Sequence, residues 1–92
     1  MHISPVFIDG VQFDECHVLK VGKQYVVYHR NIHKGTGGEY FYGMYNGNYC
    51  GQHEFIKCRV YTNALAGTLK RTDIVKPVIQ IDSEFIFRKS SI

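Results

Sequence analysis

The residues best suited to chemistry lie close together in mid-chain. Cys50, His53 and Cys58 follow one another at short spacing, and Cys16-His17 adds a second soft pair. Soft ligands in such a set can hold zinc tetrahedrally. The spacing lacks the C-x2-C pair common in structural zinc sites, and Cys58 alternates with Ile56 and Val60, which points it into the core as a small hydrophobe. No metal and no cofactor is therefore expected. Cys50 and His53 also have the types needed for a thiolate nucleophile and its base. Their separation across a turn fixes no geometry, and no third group orients them. Glu54 and Lys57 resemble part of a nuclease site, but their spacing puts them on opposite faces of a strand. An enzyme is not expected.

Anion binding is better supplied. His33-Lys34-Gly35-Thr36-Gly37-Gly38 is glycine-rich and flanked by cations. A loop of this kind can turn several N–H groups toward a phosphate. It does not match the Gly-Lys-Ser/Thr pattern of a P-loop, and slack in a hairpin connection explains the glycines more simply. Cations also interleave with aromatics. His29, Arg30, His33 and Lys34 adjoin the loop, Tyr40 and Tyr42 share one face of the next strand, and Lys57, Arg59 and Tyr61 share one face of another. Tyrosines can stack bases while Lys and Arg hold phosphates. The competing account is a solvated face whose rings shield a sheet. Lys70-Arg71 and Arg88-Lys89 read as solvated basic pairs.

Strands must position these groups. Val6-Phe7-Ile8 is a short strand, and Asp9-Gly10 suits a tight turn into a return strand from Val11 to Leu19. Val11 and Phe13 fall on one face of it, Cys16 and Val18 on the other, which predicts a bulge near Glu15. Val21-Gly22-Lys23 is a turn, Gln24 to Arg30 a strand, Asn31 to Gly38 a long loop, and Glu39 to Tyr45 a strand with a bulge or bend at Gly43. Asn46-Gly47 is the strongest hairpin signal. Phe55 to Thr62 alternates so that Ile56, Cys58 and Val60 face the core. Asn63 to Thr72 reads as ambiguous, with room for one helical turn before Gly67. Pro77 to Ile81 and Glu84 to Phe87 predict a final hairpin around Asp82-Ser83, with Ser90 to Ile92 as a frayed tail.

The expected fold is all-β, or mostly β with at most one short helical turn, in a single domain over residues 1–92. A small antiparallel curled sheet, an SH3-like or OB-like partly open barrel, fits the strand spacing. A flatter antiparallel sheet completed as a homodimer is the alternative, since no helix covers a flat face. The apolar fraction is 45%, ordinary for a globular chain, whereas seven Tyr and six Phe without Trp are unusual. The net charge of +3 allows a polyanion partner without the excess of a DNA packager. An odd number of cysteines (three) and no leader-like N-terminus argue against a secreted disulfide scaffold and point to a reducing cytoplasm. No apolar run approaches a membrane span.

The leading expectation is a non-catalytic binding module that recognises a phosphate-bearing ligand, nucleic acid or nucleotide, through Arg30, Lys34, Tyr40, Tyr42, Lys57 and Arg59. The alternative is a small inhibitor or adaptor, in the style of viral-type regulators, that docks on a partner protein through Tyr45 and Tyr49. A structural assembly subunit is the third.

Overall fold

The computed structural model describes residues 4–29, 39–65, 67–81 and 85–92. The fold is all-β. Strands run β1 (Val6–Ile8), β2 (Val11–Glu15), β3 (Gln24–His29), β4 (Glu39–Tyr49), β5 (Gln52–Leu65), β6 (Thr68–Ile81) and β7 (Ile86–Ser90). They form one curled sheet in the order β1-β2-β7-β3-β4-β5-β6 that closes into a ring. All neighbours are antiparallel except at the closure, where β1 meets β6 in parallel through the single pair Phe7↔Thr68. The Phe7 N–H donates to the Gly67 carbonyl at 2.9 Å and strengthens this seam.

The sheet is covered on both faces around β3, and that explains most departures from simple alternation. Successive strand residues point to opposite faces. Val27 joins a core cluster with Tyr25, Phe41, Tyr45, Phe55, Cys58 and Ile81. Its neighbour Val26 joins another with Val6, Ile8, Phe13, Tyr61 and Leu69. β3 is thus buried on both sides. The same logic removes the bulge expected near Glu15. Phe13 and Cys16 pack on opposite clusters, while β2 pairs with β7 in unbroken register from Phe13↔Ser90 to Glu15↔Arg88. The strand ends at Glu15, short of Leu19.

A bulge does form at Gly43, where the lone Gly in the strand pattern called for one. Tyr42 opposes Arg59 and Met44 opposes Ile56, so Lys57 and Cys58 stand together against Gly43. Lys57 takes up the extra residue with φ 55°. This corrects the expected phase of β5. Cys58 and Val60 do face inward, but the extra residue puts Phe55, not Ile56, on the same core, where Phe55 is fully buried. Gly43 also makes room for the core, because a Cβ there would lie 2.6 Å from Cys58 Sγ.

Two hairpin turns have positive φ at both central residues, the geometry that matches strand twist. Asp9-Gly10, at 51° and 79°, is as anticipated. The other is Cys50-Gly51, at 54° and 82°, closing the Tyr49↔Gln52 pair. Asn46-Gly47 does not form the hairpin. It lies inside β4, where Asn46 is the extra residue of a second bulge and its Nδ2 donates to Glu54 Oε2 at 2.7 Å. An L-residue in the left-handed region is strained and Asn tolerates it best. Cys50→Asn should therefore stabilise the protein by about 0.5–1 kcal/mol, read as a higher urea midpoint at unchanged slope. A fall in midpoint would show that Cys50 makes a contact worth more than the strain.

The segment 63–72 holds no helical turn among its described residues. It is the β5–β6 hairpin, with Asn63 opposite Leu69. β7 does not return along β6 as a final hairpin. It inserts between β2 and β3, which gives Ser90 a strand partner in Phe13, and the Ser91 N–H reaches the Gln12 carbonyl at 3.0 Å. The tail is therefore tied down as far as Ser91. Asn31 to Gly38 and Asp82-Ser83 lie outside the described residues.

Candidate anion-binding surface

The register of β3, β4 and β5 decides which candidate side chains meet. Tyr42 stands opposite Arg59 on one side and Val26 on the other, and Tyr40 opposite Tyr61 and Tyr28. All six share one face, because cross-strand partners point the same way. The structure thus brings Tyr40, Tyr42 and Arg59 together. Lys57 is exposed but displaced from their row by its bulge. Arg30 and Lys34 lie outside the described residues.

The tyrosines on this face differ in role. Tyr61 is 7% exposed and belongs to the core. Tyr40 and Tyr42 are half-buried, packed on the cluster around Val26 with their outer edges in solvent. The Tyr28 and Tyr40 rings lie 4.9 Å apart, and Tyr42 meets Phe13 edge-on at 5.6 Å. Burial pushes the Tyr40 and Tyr42 phenols above their ordinary range, so both remain neutral donors near neutral pH. The Tyr42 hydroxyl donates to Gln24 Oε1 at 3.1 Å. Arg59 spends one N–H on the Thr72 carbonyl at 3.2 Å, which aims its guanidinium along the sheet. Behind Tyr40 sits Arg88, only 5% exposed. Its Nη2 donates to the Ser4 carbonyl at 3.0 Å, while Nε and Nη1 find no hydrogen-bond partner among the described residues. The sequence presents Arg88-Lys89 as a solvated pair. In the fold only Lys89 is solvated, because Arg88 opposes Val26 in a strand covered on both faces.

The residues that favoured a protein interface separate. Tyr45 is buried, and its hydroxyl pairs with His53 Nδ1 at 2.8 Å. Tyr49 is half-exposed beside the Cys50-Gly51 turn, with its hydroxyl donating to the Asn46 carbonyl at 2.8 Å. Tyr45 therefore supports the core, and only Tyr49 is open to a visitor.

The thiols are dispersed. Cys58 is buried and its pKa is pushed up to about 12 by desolvation, so it stays protonated and unreactive. Cys16 is raised too, first by burial, while the nearby Lys89 charge works in the other direction. Cys50 is exposed on its turn. Among the described residues no group of three or more His, Cys, Asp or Glu side chains is placed to hold a metal ion, and no helix is long and apolar enough to cross a membrane.

One basic feature has only a weak signature in the chain. The segment between β2 and β3 folds against the end of β7 and leaves an open cleft of about 620 Å³. Lys20, Lys23, Lys89, His17 and Gln24 line it, with Cys16, Val18 and Tyr25 among the others, and no Asp or Glu does. Two lysines bracketing the Val21-Gly22 turn were the available signal. Comparison of the chain with protein-family models, curated proteins and solved structures finds no match.

Proposed function

We propose that this protein is a non-catalytic binding module for a phosphate-bearing ligand, nucleic acid or nucleotide, held on the face of β3, β4 and β5. One observation carries the reading: Tyr42 and Arg59 are direct cross-strand neighbours on a partly exposed face, with Tyr40 one step along. A half-buried ring is fixed by the core yet offers an edge and part of a face for stacking. The adjacent guanidinium supplies the charge and donors for a phosphate. Lys57, exposed on its bulge beside this row, adds a second cation. Arg30 and Lys34 belong to the proposal on sequence grounds.

Fluorescence anisotropy with single-stranded, duplex and mononucleotide probes at low salt tests this directly. Tyr42→Ala should weaken binding by about 5- to 100-fold, the range for losing one base-stacking ring. Tyr42→Phe should keep most of the affinity, and Arg59→Gln should also flatten the salt dependence. Absence of binding to every probe in low salt would remove the proposal.

A second reading, docking on a partner protein, draws on a different surface. Ile74, Val75 and Val78 are exposed along β6, whose outer edge meets β1 only at Thr68. Pro77 in this edge lacks an N–H. A wide bulge sets Val60 against Thr72, Asp73 and Ile74, and Thr72 Oγ1 donates to the Val60 carbonyl at 2.8 Å in place of a ladder bond. Both features blunt the edge against indiscriminate strand pairing. A stoichiometric protein that co-purifies without nucleic acid, and is lost on Val75→Ser with Val78→Ser, would favour this reading over the first.

A further inference from the structure

We infer that the cleft between the Lys20–Lys23 turn and the end of β7 is a phosphate seat. Resting on the function proposed above, it would place the ligand's phosphates here and its bases on the tyrosine face. The case begins with charge. Lys20, Lys23 and Lys89 line one concavity with His17 and with no Asp or Glu side chain. Like charges gathered in a concave site repel one another and focus a positive potential that an anion relieves. Asp14, opposite Lys89 in the ladder, is outside the lining and accepts from Gln12 Nε2 at 2.8 Å, and Glu15, whose charge reaches Cys16, is outside it too.

The second strand of argument is preorganisation. The segment contributes only Leu19 to the core beyond Cys16, since Val18 and Val21 are exposed. Yet it is pinned at four points. The Lys20 N–H donates to the Tyr25 hydroxyl at 2.8 Å, and the Lys23 N–H to the Lys20 carbonyl at 3.1 Å. The Gly22 N–H donates to the Tyr45 carbonyl, and the Tyr45 N–H to the Lys23 carbonyl, both at 2.9 Å. Tyr25 and Tyr45 are core residues, so the loop bearing two of the lysines is tied to the core. A solvated loop needs no such ties, whereas a binding loop gains by being ordered before its ligand arrives.

The third strand is continuity. Gln24 lines the cleft, and its Oε1 accepts from the Tyr42 hydroxyl. Gln24, at the start of β3, therefore borders both the lysine cleft and the tyrosine face. Val18 adds an apolar wall that suits a sugar or base edge.

The test follows backbone amide shifts by NMR during addition of a single-stranded oligonucleotide, a nucleoside monophosphate and inorganic phosphate. It also measures oligonucleotide affinity for Lys20→Gln, Lys23→Gln and Lys89→Gln, singly and together, with the Lys→Arg counterparts. These side chains are outside the core clusters, and the NMR spectrum of each variant reports its fold. Shifts should concentrate at Lys20, Lys23, Gln24 and Lys89 with all probes. Each Lys→Gln change should lower the salt slope by roughly 0.7, and the Arg variants should not. If the triple variant binds the oligonucleotide like the native chain, the cleft is overturned and the tyrosine-face function stands. If no oligonucleotide binds at low salt, the function fails. Phosphate-induced shifts at the four residues would then still support the seat, and their absence would overturn it as well.

Discussion

Gly43→Val should lower stability by more than about 3 kcal/mol, a large part of the total. A Cβ at Gly43 would sit 2.6 Å from Cys58 Sγ and 3.3 Å from the Ile56 carbonyl oxygen. Neither neighbour can step aside. Cys58 is fully buried among Tyr25, Phe41, Phe55 and Ile81, and the carbonyl belongs to the β5 backbone. Overpacking of this kind costs about 1–3 kcal/mol for a single added methyl and more for a branched side chain. The whole stability of a chain this size is roughly 5–14 kcal/mol. Gly43→Ala gives the measurable version by urea denaturation. Combined with Cys58→Ala, which removes the sulfur that clashes, it should cost less than the two single changes added together. Strict additivity would mean that the bulge does not bring these residues into contact.

Arg88→Met should raise stability by about 1–3 kcal/mol. A guanidinium stays protonated in any protein environment, so burying it with unpaired donors is costly even with an acid, Glu15, opposite it in the ladder. Arg88 is 95% buried, from an exposure of 5%, and two of its three nitrogens have no hydrogen-bond partner among the described residues. A side chain of similar length without charge removes that penalty, in the manner of buried ion groups replaced by hydrophobes. Loss of the bond to the Ser4 carbonyl offsets about 1 kcal/mol of the gain. Thermal and urea unfolding read the difference. A loss of about 3–5 kcal/mol instead would reveal an anionic partner holding Arg88 in solution.

How much of this was legible in the chain follows from what alternation can and cannot encode. The all-β class, the Asp9-Gly10 turn and the irregularity at Gly43 are local properties of residue type, and each appears where the residues put it. The phase of β5 is not local. A single extra residue at Lys57 reverses which side chains face inward, and nothing in Phe55-Ile56-Lys57-Cys58 marks it, since Lys is a poor left-handed residue. The Asn46-Gly47 signal is real chemistry used differently: the pair makes a bulge, and Cys50-Gly51 makes the turn. Sheets covered on both faces also defeat the usual equation of polar with exposed, which is why Arg88 reads as solvated and is not.

The candidate site shows the same division. Tyr40, Tyr42 and Arg59 could be put on strands from the sequence, but only the register makes Tyr42 and Arg59 neighbours and sends Tyr61 into the core. Lys20, Lys23 and Lys89 are far apart in the chain and converge through the insertion of β7 between β2 and β3. No spacing rule could have joined them. Tyr45, attractive as an exposed anchor beside a supposed turn, is held in the core by the longer β4.

The most direct test of the central claim is the dependence of single-stranded oligonucleotide affinity on salt, measured from about 20 to 200 mM monovalent salt. Arg59 and Lys57 with the three cleft lysines predict a log–log slope of about −3.5, the release expected when about five single-strand phosphates are neutralised. Binding that is undetectable at the lowest salt, or that does not weaken as salt rises, would contradict the account.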